Sequence, residues 1–239
     1  MHVSLGVGEA ESIAEREIRR WSLERRAGER RIQEAEPAPL ITISRQLGAG
    51  GNEVGYRLAE RLAWPMYDRE LVDEVARCAH ASKHLVADLD EHRPHEVEAW
   101  LECIMTHELF DCQDYRNALV EVLHTLAAQG AAIVLGRGAN FVPRLHPRLD
   151  VRVVAPLESR VARLMNRDRL TQAQAHEAVR RSDHDRREFV RRVHGGDWDD
   201  PAKYDLVINT GRLSIVEAVE LTESTWRDLR SSIQAHVHA

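Results

Sequence analysis

The sequence predicts an α/β fold: a parallel sheet with helices on both faces. Two observations carry this. From Leu40 onward, short runs of β-branched apolar residues alternate with amphipathic helical segments. The first of these runs also opens into a glycine-rich turn, "RQLGAGGN", that leads directly into a helix.

Each element has its own signal. Leu40–Ser44 is apolar and β-branched, as a buried strand requires. Asn52–Ala63 places Val54, Leu58, Ala59 and Leu62 on one helical face. Pro65–Tyr67 reads as a brief second strand, and Glu70–Ala79 as a helix with Leu71, Val72, Val75 and Ala76 inward. Residues 80–114 are polar, histidine-rich and irregular, with short helical pieces around Glu96–Leu109. Tyr115–Gln129 is a strong helix closed by Gly130. Ala132–Leu135 is a strand running into "GRGAN", and Val151–Ala155 is another. Leu157–Arg169 is helical. Thr171 with Gln174 forms a capping box for the next helix, and Ser214 with Glu217 caps the final one after the last strand, Leu206–Asn209.

Residues 1–36 differ from this pattern. They are dense in Glu and Arg and predict a charged helical leader with pairs such as Glu15–Arg19 and Arg30–Glu34. The leader is either a solvated segment or a helix that packs on the domain or on a second subunit through Ile18 and Trp21, which would make a homodimer. "EPAPL" separates it from the domain, 37–239.

Composition excludes several classes. A net charge of −6 and a pI near 6.1 argue against a dedicated nucleic-acid binder. Three cysteines, Cys78, Cys103 and Cys112, offer no disulfide framework and fit a reducing, cytoplasmic setting. No signal-peptide core and no apolar run of ~20 residues is present, which argues against a membrane protein. His80, His84, His92 and His95 cluster without the cysteine or glutamate partners of a zinc motif.

Ligands of such sheets bind at the carboxyl ends of the strands. Gly48, Ala49, Gly50 and Gly51, with Asn52 and Glu53 opening the helix, form a candidate phosphate cradle there. The full phosphate-loop pattern is G-x-x-x-x-G-K-[ST]. Here Arg45 stands at the first glycine, Gly51 at the lysine and Asn52 at the hydroxyl residue.

The stretches "ISRQLGAGGNEVGYRLAERLAWPMYDRELV", "IVLGRGANFV", "VRVVAPLESRVARLMNR" and "GGDWDDPAKYDLVINTGRLSIVEAVELT" occur in this order. Together they resemble the cytidylate kinase-like proteins, relatives of the nucleoside monophosphate kinases. The resemblance implies a three-layer phosphate-loop fold with a five-stranded parallel sheet. It also implies a monophosphate-binding insert at about 69–115 and an arginine-rich lid at about 163–200. The activity implied is transfer of the terminal phosphoryl group of ATP to a nucleoside monophosphate, with Mg²⁺.

True cytidylate kinases carry the loop lysine, the loop hydroxyl and an Asp-Gly-Arg-Asp run after the central strand. Here that run is Leu135-Gly136-Arg137-Gly138. Arg45 is the nearest stand-in for the lysine. Arg163, Arg167 and Arg186 are the candidate charge-neutralising groups, and Asp183 with Arg186 matches the family's D-x-x-R. Arg137 and Asp68 are candidates to face the acceptor, Asp68 having helix capping as its other role. Residues 180–192 carry six arginines against three carboxylates, either a phosphate-gripping lid or a salt-bridged helix. Asn52, Glu53 and Asp68 are the residues left to contact a metal. The lost acid at 138 removes the group associated with base recognition. The rival reading is a nucleotide-binding regulatory module without turnover. Trp198 is either a base-stacking platform or a packing anchor.

Overall fold

A computed structural model describes residues 38–68, 112–144 and 147–237. The leader 1–36, the His80–His95 cluster, Cys78, Cys103 and the helical readings over Glu70–Ala79 and Glu96–Leu109 lie outside the described residues, as does nearly all of the proposed insert.

Five strands form one sheet. They are β1 (Leu40–Arg45), β2 (Met66–Tyr67), β3 (Ala132–Leu135), β4 (Arg148–Val154) and β5 (Leu206–Asn209). Their order is β2-β3-β1-β4-β5, and every pairing is parallel. The five described helices are α1 (Gly51–Leu62), α2 (Cys112–Gln129), α3 (Leu157–Asp168), α4 (Gln172–His194) and α5 (Ile215–Val237).

Side chains alternate across a strand, so β1 feeds two cores. Ile41 and Ile43 point to one face, with Val151 and Val153 of β4, and pack under Val54 and Leu58 of α1 and Val219 and Trp226 of α5. Leu40 points to the other face, where Val134 meets Leu119, Leu123 and Leu126 of α2. A third cluster joins α3 to α4 through Val161, Leu164, Ala175 and Val179, and Leu47 of the glycine loop packs against it. The α3–α4 hairpin is thereby attached to the loop it overhangs. Both predicted capping boxes form: Thr171 Oγ1 accepts from the Gln174 N–H, and the Ser214 N–H donates to Glu217 at 2.7 Å.

β4 begins at Arg148 rather than at the predicted Val151. The missed residues include two buried charges, which a hydropathy pattern reads as loop. Arg148 and Asp150 are 5% and 1% exposed. Asp150 lies 2.9 Å from Arg148 Nε and 2.8 Å from Arg144, and accepts from Thr42 Oγ1 at 2.6 Å. Burial pushes the Asp150 carboxyl above its ordinary range, while Arg148, Thr42 and Arg144 oppose that shift. Two residues along the same strand, Arg152 stacks on Trp198 at 4.1 Å and donates to Tyr204 Oη and to Asp199. This face of β4 thus carries paired charges under the buried rings of Trp198 and Tyr204. Removing one partner of a buried pair strands the other charge. Asp150→Ala is therefore expected to lower stability by about 3–5 kcal/mol, read as a shift in the urea midpoint.

Candidate functional site

The loop between β1 and α1 is pinned from three sides. Arg163 of α3 donates to the Gly48 carbonyl at 3.2 Å and to Thr210 Oγ1 at 3.0 Å. Thr210, just past β5, donates to the Ala49 carbonyl at 2.6 Å. Arg186 of α4 donates to the Arg45 carbonyl at 2.7 Å. Gln46 accepts from the Ala155 N–H beyond β4. In a trans peptide the N–H points opposite to the preceding C=O. Fixing the Ala49 carbonyl on Thr210 therefore turns the Gly50 N–H away from β5. Gly50 sits at the N-cap of α1 with no side-chain cap. The first N–H groups of α1 have no partner within the helix, and that end carries partial positive charge.

Arg45 closes the loop on its remaining side. A Cβ built on Gly51 would lie 2.4 Å from Arg45 Cβ, and one on Gly136 would lie 2.3 Å from Arg45 Nη1. The arginine side chain thus threads a slot between two glycine backbones. Its Nε donates to Asn52 Oδ1 at 2.9 Å. Gly51 is helical, so its conformation does not call for glycine. A glycine there costs about 0.5–1 kcal/mol of helix stability, and the space taken by Arg45 is what requires it.

The other expected residues are dispersed. Asp183 is buried and pairs with Arg160 at 2.7 Å, joining α3 to α4. Arg167 pairs with Asp168 and is largely exposed. Glu53 pairs with Arg57 one turn on. Asp68 follows β2, at the same end of the sheet as the loop. Arg137 lies in the turn after β3 with its guanidinium 5.3 Å from the Phe189 ring of α4. Half of the six arginines of the basic run on α4 face carboxylates: Arg187 holds Asp199, and Arg191 and Arg192 share Glu188. Trp198 is 4% exposed and donates to Ser44 Oγ, which makes it an anchor rather than a platform.

Sequence reasoning missed Arg160, Thr210 and His194. Thr210 was within reach, since it follows a strand at the ligand-binding end. Nothing in the sequence marked the other two. His194, at the end of α4, lies between Phe141 and Phe189 with its Nε2 3.1 Å from the Arg137 carbonyl. A carbonyl only accepts, so the proton sits on Nε2. A Cβ on Gly138 would come within 2.4 Å of that nitrogen. The imidazole therefore occupies the room a side chain at 138 would need.

A magnesium shell does not fit these residues. The position of the loop hydroxyl is Asn52, whose Oδ1 faces the Arg45 cation. Glu53, Asp150, Asp183, Asp199 and Asp205 are all in ion pairs, and Asp68 also has a contact within the protein. Among the described residues no group of three or more His, Cys, Asp or Glu is placed to hold a metal.

The five-stranded parallel order, the helices on both faces and the loop between β1 and α1 define the phosphate-loop α/β class of nucleoside monophosphate kinase type. Residues 40–212 match the cytidylate kinase-like family, and the chain belongs to that family. The chain is similar in fold to an uncharacterized protein from Eubacterium ventriosum, at 20% identity and a TM-score of 0.60, over 79% of this chain and 98% of that one. A gluconokinase from Sinorhizobium meliloti aligns at 12% identity and a TM-score of 0.45, over 84% and 99% of the two chains. A uronate isomerase from Corynebacterium glutamicum is 32% identical over 101 residues, 42% of this chain. The matched stretch is 20% of the length of that relative. Among the described residues no helix is long and apolar enough to cross a membrane.

Burial first, and then the charge of Arg116, pulls the His194 imidazole down to about 4. The unfolded chain binds that proton below about 6.5 and the folded chain does not, so stability falls as pH drops from 6.5 towards 4. From pH 7 to pH 5 this contribution amounts to about 2 kcal/mol. His194→Gln is expected to flatten that part of the urea-midpoint profile against pH.

Proposed function

We propose that the protein transfers the terminal phosphoryl group of ATP to a nucleoside monophosphate, cytidylate-like, or to a similar small phosphorylated acceptor. The observation that carries this reading is the Arg45 guanidinium, held at the carboxyl ends of β1 and β3 beside the uncapped start of α1. The N–H groups of Gly48, Gly50, Gly51 and Asn52, with Arg45, would hold the ATP phosphates, while the Ala49 N–H donates to the Gln46 carbonyl and shapes the turn. Phosphoryl transfer asks for positioning and neutralisation of charge more than for covalent chemistry by the protein. Arg45, Arg163 and the lid arginine Arg186 are cations in contact with that loop. Family membership supports the same reading.

The remaining residues take graded roles. Arg163 keeps the loop in shape through Gly48 and Thr210, and Asp183 positions α4 against α3 through Arg160. Arg167 would join the phosphates only by leaving Asp168. Arg137 and Asp68 flank the acceptor side. No acid stands at 138, and His194 fills that space, so base selection would rest on other contacts.

One observation favours a second reading, a nucleotide-binding regulatory module without turnover. Arg163, Arg167 and Asp183 are all engaged with protein partners rather than directed to a ligand. A coupled assay with ATP over a panel of nucleoside monophosphates decides between the two. Turnover is expected with at least one acceptor, and Arg45→Ala is expected to lower kcat/KM by about 10²–10³-fold, the range for loss of one preorganised donor. Clear ATP binding with no turnover on any acceptor would sink transfer and leave the binding module.

A further inference from the structure

We propose that this loop takes the triphosphate of its nucleotide without help from magnesium, with the Arg45 guanidinium supplying the positive charge. The inference rests on the phosphate-binding reading of the site and goes beyond it.

Three replacements at the loop form one physical unit. Arg45 needs the volume beside Gly51, because any Cβ at 51 would lie 2.4 Å from its own. Gly136 gives way to the guanidinium on the opposite side of the slot, where a Cβ would lie 2.3 Å from Nη1. Asn52 accepts from Arg45 Nε at 2.9 Å, which fixes the plane and direction of the guanidinium. Arg186 holds the Arg45 carbonyl, so the root of the side chain is fixed as well.

The same contacts remove the usual reason for magnesium at such a loop. In phosphate loops of the lysine type a Ser or Thr hydroxyl ligates the ion. Here that position presents an amide oxygen already turned to a cation. A second cation on the same oxygen would sit within a few ångströms of the guanidinium and be repelled. Mg²⁺ asks for a near-octahedral set of oxygens; among the described carboxylates Glu53 is paired with Arg57, Asp183 is buried against Arg160 through Oδ2, and Asp68 has a contact within the protein. A guanidinium, by contrast, is always charged and matches phosphate oxygens in a planar fork. It can neutralise the polyphosphate directly.

The test is a calorimetric titration of the full chain with ATP, once in EDTA and once with excess Mg²⁺, repeated with inorganic tripolyphosphate. The two ATP affinities are expected to agree within about threefold, and Arg45→Gln to weaken binding in EDTA by about tenfold or more, the worth of a charge-assisted pair. The triple variant Arg45→Gly, Gly51→Lys, Asn52→Ser restores the lysine-type loop and is expected to bind ATP at least about tenfold tighter with Mg²⁺ than without. Should that variant fail to fold by circular dichroism, the wild-type pair of titrations and Arg45→Gln decide alone. Magnesium tightening wild-type binding by about tenfold or more, or Arg45→Gln binding as well as wild type, overturns the inference and leaves the transfer reading standing. Absence of ATP and tripolyphosphate binding under both conditions overturns both.

Discussion

The Arg45 side chain and the Gly51 backbone compete for one volume, and the architecture of the site follows from how that competition is settled. An arginine leaving β1 at the ligand-binding end has to pass the first turn of α1. It passes only because residue 51 has no Cβ. Gly136 gives it clearance at the far end, and Asn52 meets it on the way. The lid completes the arrangement, since Arg186 of α4 grips the carbonyl of the same residue. Loop, β3 turn and lid are thus coordinated through one side chain and its own peptide group.

Arginine serves this fold in two different ways. At the loop it is a candidate ligand group, partly accessible and held by main chain and amide. Behind the sheet it is a structural material. Arg148 and Arg152 lie on the buried face of β4, and Arg160 is buried between α3 and α4. Each is compensated: Arg148 by Asp150 and the Val142 carbonyl, Arg152 by Asp199, Tyr204 and the Trp198 carbonyl, Arg160 by Asp183. Buried pairs add little net stability over an apolar filling, but they penalise any arrangement that separates the partners. The Arg152 set ties the segment after α4 to β4. The far end of the lid helix is fixed by it, so Arg186 can meet the loop at a defined place.

The sequence made the scaffold readable and the site only half so. Ala132–Leu135 and Leu206–Asn209 have the bounds the apolar runs predict, because both strands are short, apolar and flanked by turns. The start of β4 was illegible because Arg148 and Asp150 look like loop until their partners, distant in the chain, are known. At the site, the glycine loop and Arg45 were visible as a broken motif. The reason for the break was not, since it lies in a contact between Gly51, Arg45 and Gly136 that no spacing encodes. Asp183 and Arg163 read from sequence as catalytic candidates because residue type and position matched. Their observed partners, Arg160, Gly48 and Thr210, are supplied by packing between elements.

The departures at 51 and 138 share a physical form, and that form argues against simple loss of function-bearing side chains. At each position a side chain from elsewhere in the fold takes the room a Cβ would need: Arg45 at Gly51, His194 at Gly138. The exchanges cannot proceed one residue at a time. A lysine at 51 with Arg45 in place meets its Cβ, and a glycine at 45 beside Gly51 leaves the slot between Gly51 and Gly136 without a cation. A side chain at 138 meets His194, whose ring is buried, stacked on Phe141 and bonded to the Arg137 carbonyl. The arginine-type loop is therefore a coupled packing, in which a change at 45 or at 51 alone costs charge or space. This chain shows such packing at both positions, with each filling side chain held by a specific contact.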